Sequence, residues 1–519
     1  MLTSPSQAGC LDIRLASRRR GALVYVLITV AWTVPAMWVV WQARDAINPD
    51  AIAYVRNGSH YLAGRWDLAV NGWFGPAFSW LAAMALAIRA EPMLTLRASA
   101  LVFAPLSAMA GGTLTKSIAP NPWPAIVYAM VLALTLGAVG DDISPDLMLS
   151  AGLGWYLVVA QKVIASPSTL RVFACALLGG ACYMIKGYAL PFVAAHLVLT
   201  LCWVYQRVGR RVLAMFCAGV AGLLISAGPW VLIVSLQAGE PTISTIGRSS
   251  HMWRPVRPKG VSRVYSLQIP RDGRYSTWEN PAEITAPWPQ WSDGDGERVR
   301  RVIVVWGLNV WEALVELYHL DMLGIITATW IGGIALAYVN RSTGRMGGWL
   351  ACSSLLYLAG LTLLWVYERF LIPIYAPMLA ASAWVGGMAR PVLRARVAYG
   401  IAGVVMCAVC LVQALRLGNN GTLHRRWERG TQIRRSAMDP ALNTTFASNE
   451  WLEGLCLGYW SGGRFAGRVR DASALRGHPS CTMLVIEDEE LVRRLERSPE
   501  WRLRAHDEHG MWTLFEQAR

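Results

Sequence analysis

The sequence predicts a polytopic α-helical membrane protein of about 11 crossings, within a range of about 11 to 13, with external interfacial loops and a small C-terminal α/β domain. Three observations predict it. Hydrophobic residues make up 54% of the 519 positions and charged residues only 16%, with a positive mean hydropathy, a balance that marks a membrane chain. Apolar runs long enough to cross about 30 Å of hydrocarbon, at about 20 residues each, recur along the chain. Beyond residue 415 those runs stop and short strand-like and helix-like segments alternate. The 25 Trp suit interfacial belts. A net charge of +15 does not point to nucleic acid, because basic residues gather in short loops between runs, where they set orientation. They also suit membrane lipids and phosphate partners.

Taken in order, residues 1–21 form a basic N-terminal segment ending in Arg18-Arg19-Arg20. The next run, 22–43, lacks a small-residue cleavage site and is expected to stay as a span, with the N-terminus cytoplasmic. A loop at 44–72 follows. Apolar runs then occur at about 73–90, 94–113, 123–140, 147–164, 172–186, 188–204 and 212–236. A polar insert at 237–300 separates them from runs at about 301–320, 322–339, 347–366, 370–388 and 397–415. Residues 22–415 are thus read as one transmembrane domain and 416–519 as an external domain.

Crossing every run would place Arg207, Arg210 and Arg211 outside and the long insert inside, against the positive-inside tendency. One run within 94–140 is therefore expected not to cross, since Pro105, Gly111-Gly112, Pro120, Pro122 and Pro124 interrupt it. The run 301–320 carries Glu312, Glu316 and His319 on one helical face, the spacing of a helix lying at the interface. With both exceptions the loop at 44–72, the turn at 141–146, Lys186, the insert and the C-terminal domain share the outer side. In that domain, strands are expected at 441–447, 482–486, 501–504 and 511–515, and helices at 450–459 and 489–497. Most cysteines sit in apolar runs without metal-ligand spacing and read as small core residues. Cys456 and Cys481 read either as a disulfide or as two buried thiols.

The loop at 44–72 organises the rest. Asp50 follows Pro49, Ile52, Val55, Ser59 and Leu62 keep helical spacing, Gly64 stops it, and Asn71-Gly72 turns the chain into the next run. A connection of this size with Arg56, His60, Arg65, Asp67 and several aromatics usually carries function. An interfacial anchoring helix is the plainer alternative.

The pattern of Asp50, Tyr54, Tyr61, Gly64, Val70-Asn71-Gly72-Trp73 and Pro76 ahead of an apolar helix resembles the first external loop of the GT-C class of membrane glycosyltransferases. That class uses polyprenyl-phosphate sugars and includes protein O-mannosyltransferases and the lipid A aminoarabinose transferase. The resemblance extends more weakly over 22–415. It implies that Asp50 is the catalytic carboxylate. A second acidic residue follows closely in many members, whereas this chain reads Asp50-Ala51-Ile52, so no DxD metal motif is present and a divalent metal stays an open alternative.

Other positions carry over in the same way. Asp146, in a Pro-Asp-apolar sequence, matches a second catalytic-site position; the plain reading of Asp50 and of Asp146 is a helix N-cap. Asp141 and Asp142 read as solvated acids. Lys186, next to Gly187 between two apolar runs, matches a lysine assigned to the donor phosphate. A lysine at a bilayer centre costs about 2.5–3.5 kcal/mol, so it must snorkel or meet an anion. Arg369, in an Arg-aromatic-Leu-x-Pro sequence, matches another phosphate-binding position, with local pairing to Glu368 as its alternative. The start of the insert, 241–251, resembles a loop over the active site, making Arg248 a donor-phosphate candidate and His251 an acceptor or lid candidate. His60 and Asn71 are candidates of that second kind.

The resulting expectation is an inverting glycosyltransferase at the outer face of a bacterial cytoplasmic membrane, moving a sugar from a polyprenyl-phosphate donor to a lipid, glycan or protein acceptor. The alternatives are an oligosaccharide ligase or polymerase using a diphosphate-linked donor, and a lipid or glycolipid flippase. A flippase predicts paired broken helices in two halves, and no such repeat is visible in the sequence.

Overall fold

The computed structural model describes residues 5–119, 123–140, 142–246, 267–281, 296–320, 345–363, 366–389, 421–469, 472–476, 478, 480–507 and 510–518. The membrane part begins with α1 (Pro5–Gln42), followed by α2 (Pro49–Leu62) and α3 (Trp66–Ala69) of the first loop, α4 (Pro76–Ala87) and α5 (Pro92–Ala98). Then come α6 (Ala100–Lys116), α7 (Trp123–Gly140), α8 (Asp146–Ala165), α9 (Thr169–Ile185), α10 (Ala189–Val208), α11 (Arg211–Ser226) and α12 (Gly228–Ala238). After the insert follow α13 (Gly296–Leu320), α14 (Arg345–Thr362) and α15 (Ile372–Ala389).

Among the described residues, five stretches are long and apolar enough to cross a membrane, Ala22–Gln42, Pro92–Lys116, Trp123–Gly140, Asp146–Ala165 and Ala189–Val208, and the pair α11 and α12, bent by 55°, makes a sixth if taken as one span. This is the architecture of a multi-pass membrane protein. The expected runs 322–339 and 397–415 lie outside the described residues. Within 94–140 both Pro92–Lys116 and Trp123–Gly140 are long and apolar enough to cross, whereas at 73–90 α4 has only 12 residues, about 18 Å at 1.5 Å per residue.

The bundle packs through small residues. A Cβ on Gly154 would lie 2.8 Å from the Ala110 Cβ, and one on Gly222 would lie 2.7 Å from the Phe173 carbonyl oxygen. Such close approach is how apolar helices gain contact where lipid offers no hydrophobic drive. Inside it, His196 is satisfied on both ring nitrogens, by the Tyr156 hydroxyl at 2.8 Å and the Ser353 hydroxyl at 2.8 Å. α13 joins the bundle through Trp306 Nε1 to Thr362 Oγ1 (3.0 Å) and Asn309 Nδ2 to the Thr362 carbonyl (2.9 Å). Its Ile303, Leu308 and Trp311 are exposed, as is Glu312; the His319 side chain lies outside the described ones.

The C-terminal part starts with a basic helix, α16 (Gly421–Ser436), which the sequence reading did not anticipate. It continues through β1 (Thr445–Ser448), α17 (Trp451–Ser461), β2 (Arg464–Arg468), β3 (Thr482–Ile486), α18 (Glu489–Glu496), β4 (Trp501–His506) and β5 (Trp512–Gln517). The sheet runs β2-β1-β3-β5-β4, parallel from β2 to β3 and antiparallel beyond. β2 was not foreseen, because Arg464 and Arg468 flank a core of only three residues. Alternation decides the faces: Phe446, Phe465, Leu484 and Leu514 enter one core, and Ala447, Ala466, Met483 and Phe515 the other. Cys456 belongs to the first core and Cys481 to the second, and both are free thiols. Burial pushes each thiol up to about 12.

The first of these two cores is continuous with the loop around α2. Tyr54, Phe74, Phe78 and Ala82 share it with Phe446 and Leu484. The C-terminal domain therefore rests directly on the organising loop.

Candidate functional site

Five separated parts of the chain meet at one end of the bundle. Pro49 at the first position of α2 fixes the helix start and puts Asp50 in its first turn. Asp146 opens α8 behind Pro145, Lys186 follows α9 as its C-cap, Arg369 lies in a 3-10 turn before α15, and α16 brings Arg426. Neither aspartate caps its helix. Asn48 is the N-cap of α2 and Pro145 that of α8, and neither makes a side-chain cap bond. Asn48 Oδ1 instead accepts from the Ile143 N–H at 3.1 Å, tying the α7–α8 turn to the start of α2.

Arg369 stands at the centre. Its Nη2 is 2.9 Å from Asp50 Oδ2, its Nη1 3.3 Å from Asp142 Oδ2 and its Nε 3.8 Å from Asp146 Oδ2. Lys186 Nζ donates to the other Asp146 oxygen at 2.5 Å and lies 3.8 Å from the centre of the Phe370 ring. Arg426 Nη2 donates to Asp142 Oδ1. Three carboxylates thus face three cations. Burial alone would make Arg369 easier to deprotonate, but Asp50, Asp146 and Asp142 outweigh it and hold its pKa above the ordinary value. For Lys186 burial wins over Asp146, and its pKa lies below the usual lysine range. Exposure separates the acids. The Asp146 side chain is 1% exposed, Asp50 23% and Asp142 28%, so Asp50 and Asp142 face an incoming molecule and Asp146 does not.

One turn after Asp50, Tyr54 is held edge-on by Phe74 and Phe78 at 5.0 and 5.1 Å. Burial, reinforced by Asp50 and Asp146, raises its phenol well above the ordinary value and keeps it neutral. Beside Asp142 and Arg369 runs a narrow crevice of about 30 Å³, lined by Leu96, Phe103, Leu147, Met148 and Ile372. That is room for a water molecule; a lipid chain needs the walls to part.

His60 and Asn71 lie apart from this cluster, in the fastening of the insert. Fully buried His60 Nε2 pairs with Glu279 Oε2 at 2.9 Å, and Arg56 Nε reaches Glu279 Oε1 at 3.4 Å. Asn71 Nδ2 donates to the Glu279 carbonyl at 3.3 Å while its Oδ1 accepts from the N–H groups of Trp73 and Phe74. Burial alone would raise the Glu279 carboxyl; the His60 hydrogen bond and the Arg56 charge overcome it and hold it below the usual carboxylate range. A lowered carboxylate contributes stability that is present above its unfolded pKa and lost as pH falls through the folded one. Its contribution is therefore constant through neutral pH and disappears only in acid, below the ordinary carboxylate range. Glu279→Ala, which leaves His60 and Arg56 without their acceptor, is expected to cost about 1–3 kcal/mol. Tryptic nicking at Arg271 in the folded protein checks it; nicking at the wild-type rate would overturn the fastening role.

Arg248 and His251 lie outside the described residues, as does Asp141. Sequence reasoning set Asp142 aside as a solvated acid and missed Arg426 and Glu279 altogether. The signal for Arg426 was weak, one arginine in the run Arg425-Arg426-Trp427-Glu428-Arg429. Among the described residues no group of three or more His, Cys, Asp or Glu side chains is placed to hold a metal ion. Asp50, Asp142 and Asp146 are each paired with Arg369 instead.

Neither a protein-family model nor a curated protein matches the sequence. Solved structures do. ArnT from Cupriavidus metallidurans in the apo state superimposes with a TM-score of 0.53 at 13% identity, over 95% of this chain and 98% of that one. The same protein bound to undecaprenyl phosphate gives 0.50 at 13%, over 94% and 97%. The archaeal oligosaccharyltransferase AglB from Archaeoglobus fulgidus, in complex with an inhibitory peptide and a dolichol-phosphate, gives 0.53 at 10%, over 97% of this chain and 75% of that one.

The chain has the GT-C fold. Within that GT-C fold the joint between α4 and α9 is unusually tight. A Cβ on Gly75 would lie 2.3 Å from the Ile185 carbonyl oxygen and 2.7 Å from that of Met184, both backbone atoms one or two residues from Lys186. Gly75→Ala must push the end of α9 away, at a cost of about 1–3 kcal/mol as for other overpacked sites. The expected readout is a lower Tm for the purified variant in detergent; an unchanged Tm would mean that the joint opens freely.

Proposed function

We propose that this protein is an inverting glycosyltransferase that takes a sugar from a polyprenyl-phosphate donor and passes it to a lipid, glycan or protein acceptor at the outer face of a bacterial cytoplasmic membrane. The observation that carries the reading is the convergence of Asp50, Asp146, Lys186 and Arg369, distant in sequence, into one ion cluster at one end of the bundle. The GT-C fold, shared with a protein whose structure holds undecaprenyl phosphate, supports the donor class.

In this reaction the acceptor hydroxyl oxygen attacks the anomeric carbon, the carbon–oxygen bond to phosphate breaks, and the hydroxyl proton goes to Asp50. Lys186 and Arg369 take the charge that develops on the leaving phosphate. A placed base contributes about 10²–10⁴ in rate, and preorganised donors on the leaving charge about 10²–10³ each. Asp146, buried between Lys186 and Arg369, orients both. Asp50 Oδ2 accepts from Arg369 Nη2. An arriving phosphate competes for that guanidinium and leaves Asp50 available to the acceptor, so the base is released where and when the donor is bound.

The charge count favours a donor with one phosphate. Among the described residues three acids and three cations cancel, and a phosphodiester adds a single negative charge for Lys186 and Arg369 to share. The orientation rests on Lys116, Lys162, Arg207, Arg210 and Arg211, which lie near the helix ends remote from the cluster, as expected for a cytoplasmic side. By this reading the N-terminus is cytoplasmic and the C-terminal domain external.

The test is transfer of labelled sugar by the purified protein in nanodiscs from polyprenyl-monophosphate and polyprenyl-diphosphate donors, with the anomeric configuration of the product read by NMR. Transfer from monophosphate donors with inversion is the expected result. Transfer from diphosphate donors alone would shift the assignment to a ligase or polymerase. Absence of any transfer, together with movement of labelled lipid between leaflets, would shift it to a flippase.

A further inference from the structure

We propose that helix α16 is part of the donor-binding apparatus, and that Arg426 is a positioning residue acting through Asp142 on Arg369. This inference rests on the reading of Lys186 and Arg369 as the phosphate-binding cations. Asp142 has two oxygens and each is taken by a different arginine: Oδ2 by Arg369 Nη1 at 3.3 Å and Oδ1 by Arg426 Nη2. Held in this way, Asp142 gives Arg369 only one oxygen, and the guanidinium keeps a nitrogen for Asp50, or for the phosphate that replaces it. Without Arg426, both Asp142 oxygens are free to draw Arg369 into a two-point pair, the strongest geometry a carboxylate and a guanidinium can adopt, and away from the phosphate.

The placement of α16 is specified by the fold. Trp427 Nε1 donates to the Gly140 carbonyl at 3.3 Å, at the end of α7. Gly430 lies against the Asp45–Ala46 backbone so closely that a Cβ would meet the Asp45 carbonyl oxygen at 2.7 Å. Thr431 and Arg434 bond the Asp45 carboxylate. On the far side Arg429 binds Glu453 through two nitrogens, at 2.8 and 3.0 Å, and also Glu487. The helix thus connects the C-terminal sheet to the start of α2 and the α7–α8 turn, the two segments that carry Asp50, Asp142 and Asp146. From α16 the Arg426 side chain reaches Asp142, and through it the guanidinium of Arg369.

The experiment measures binding of undecaprenyl phosphate to full-length protein in detergent for wild type, Arg426→Gln, Arg426→Lys and Arg434→Gln, with donor KM and kcat measured alongside. Arg426→Gln is expected to raise the Kd about tenfold and the donor KM in step, with kcat changed less than about threefold. Arg426→Lys, which keeps a cation for Asp142 Oδ1, is expected to recover most of the affinity. Arg434→Gln breaks the same helix's contact with Asp45 but leaves Asp142 untouched, and its Kd is expected to stay within about twofold of wild type. Equal weakening by Arg434→Gln and Arg426→Gln would show that helix docking alone matters and overturn the proposal. So would wild-type affinity in Arg426→Gln. Failure of the wild type itself to bind undecaprenyl phosphate would overturn the lipid-phosphate reading on which the proposal stands.

Discussion

Asp50→Asn is expected to lower kcat for sugar transfer by about 10²–10⁴, the contribution of a positioned general base, while the donor KM changes only a few-fold. Asparagine keeps the shape of the side chain and an oxygen that accepts from Arg369 Nη2, now 2.9 Å from Asp50 Oδ2, so the fold and the cation geometry survive. What it removes is the ability to take a proton from the acceptor hydroxyl. The contrast with Asp146→Asn makes the assignment sharp. Asp146 is buried and bonded to Lys186, so its loss disturbs phosphate binding and is expected to appear mainly in donor KM. Initial rates against donor concentration, at matched expression, separate the two. Near-wild-type kcat in Asp50→Asn would remove Asp50 as base and direct attention to Asp142, the other partly exposed carboxylate of the cluster.

The two variants also show how much of this site could be read without coordinates. Asp50, Asp146, Lys186 and Arg369 each stand out locally, as an acid behind a proline or a cation beside an apolar run, and the structure places all four together. Asp142 and Arg426 do not stand out, because their meaning comes from a contact across 284 residues of chain. No local pattern encodes a partner that far away. Glu279 was hidden for the same reason. It sits in a Pro- and Gly-rich insert that reads as a lid, yet it is the buried anion that His60 and Arg56 require. His60 and Asn71, acceptor or lid candidates by sequence, touch the insert rather than the ion cluster. Span lengths were legible in composition. The shortness of α4 was not, because Pro105 is tolerated inside α6 while α4, without an internal proline, ends just before the Arg89 turn at φ 57°.

Arg369→Ala carries the second large expected effect, and it acts on folding as well as binding. The guanidinium is shared by three carboxylates and is only 20% exposed. Removing it leaves Asp50 without the guanidinium it pairs with, Asp146 with Lys186 and Asp142 with Arg426. Stranding a largely buried charge in this way costs about 3–5 kcal/mol, so a clear fall in Tm is expected, together with a rise in donor KM of about a hundredfold. Arg369→Lys separates the two consequences. An ammonium restores one positive charge and most of the Tm, but it is a point charge and cannot hold three carboxylates from three nitrogens, so transfer is expected to stay low. A further readout distinguishes lost charge from lost packing. In Arg369→Ala the three acids are left around a vacated cationic position, oxygen ligands of the kind that Mg²⁺ or Ca²⁺ accepts. Added divalent ion is therefore expected to raise the Tm of Arg369→Ala and leave that of the wild type unchanged, whereas equal shifts in both would mean that the carboxylates do not depend on Arg369 for their neutralisation.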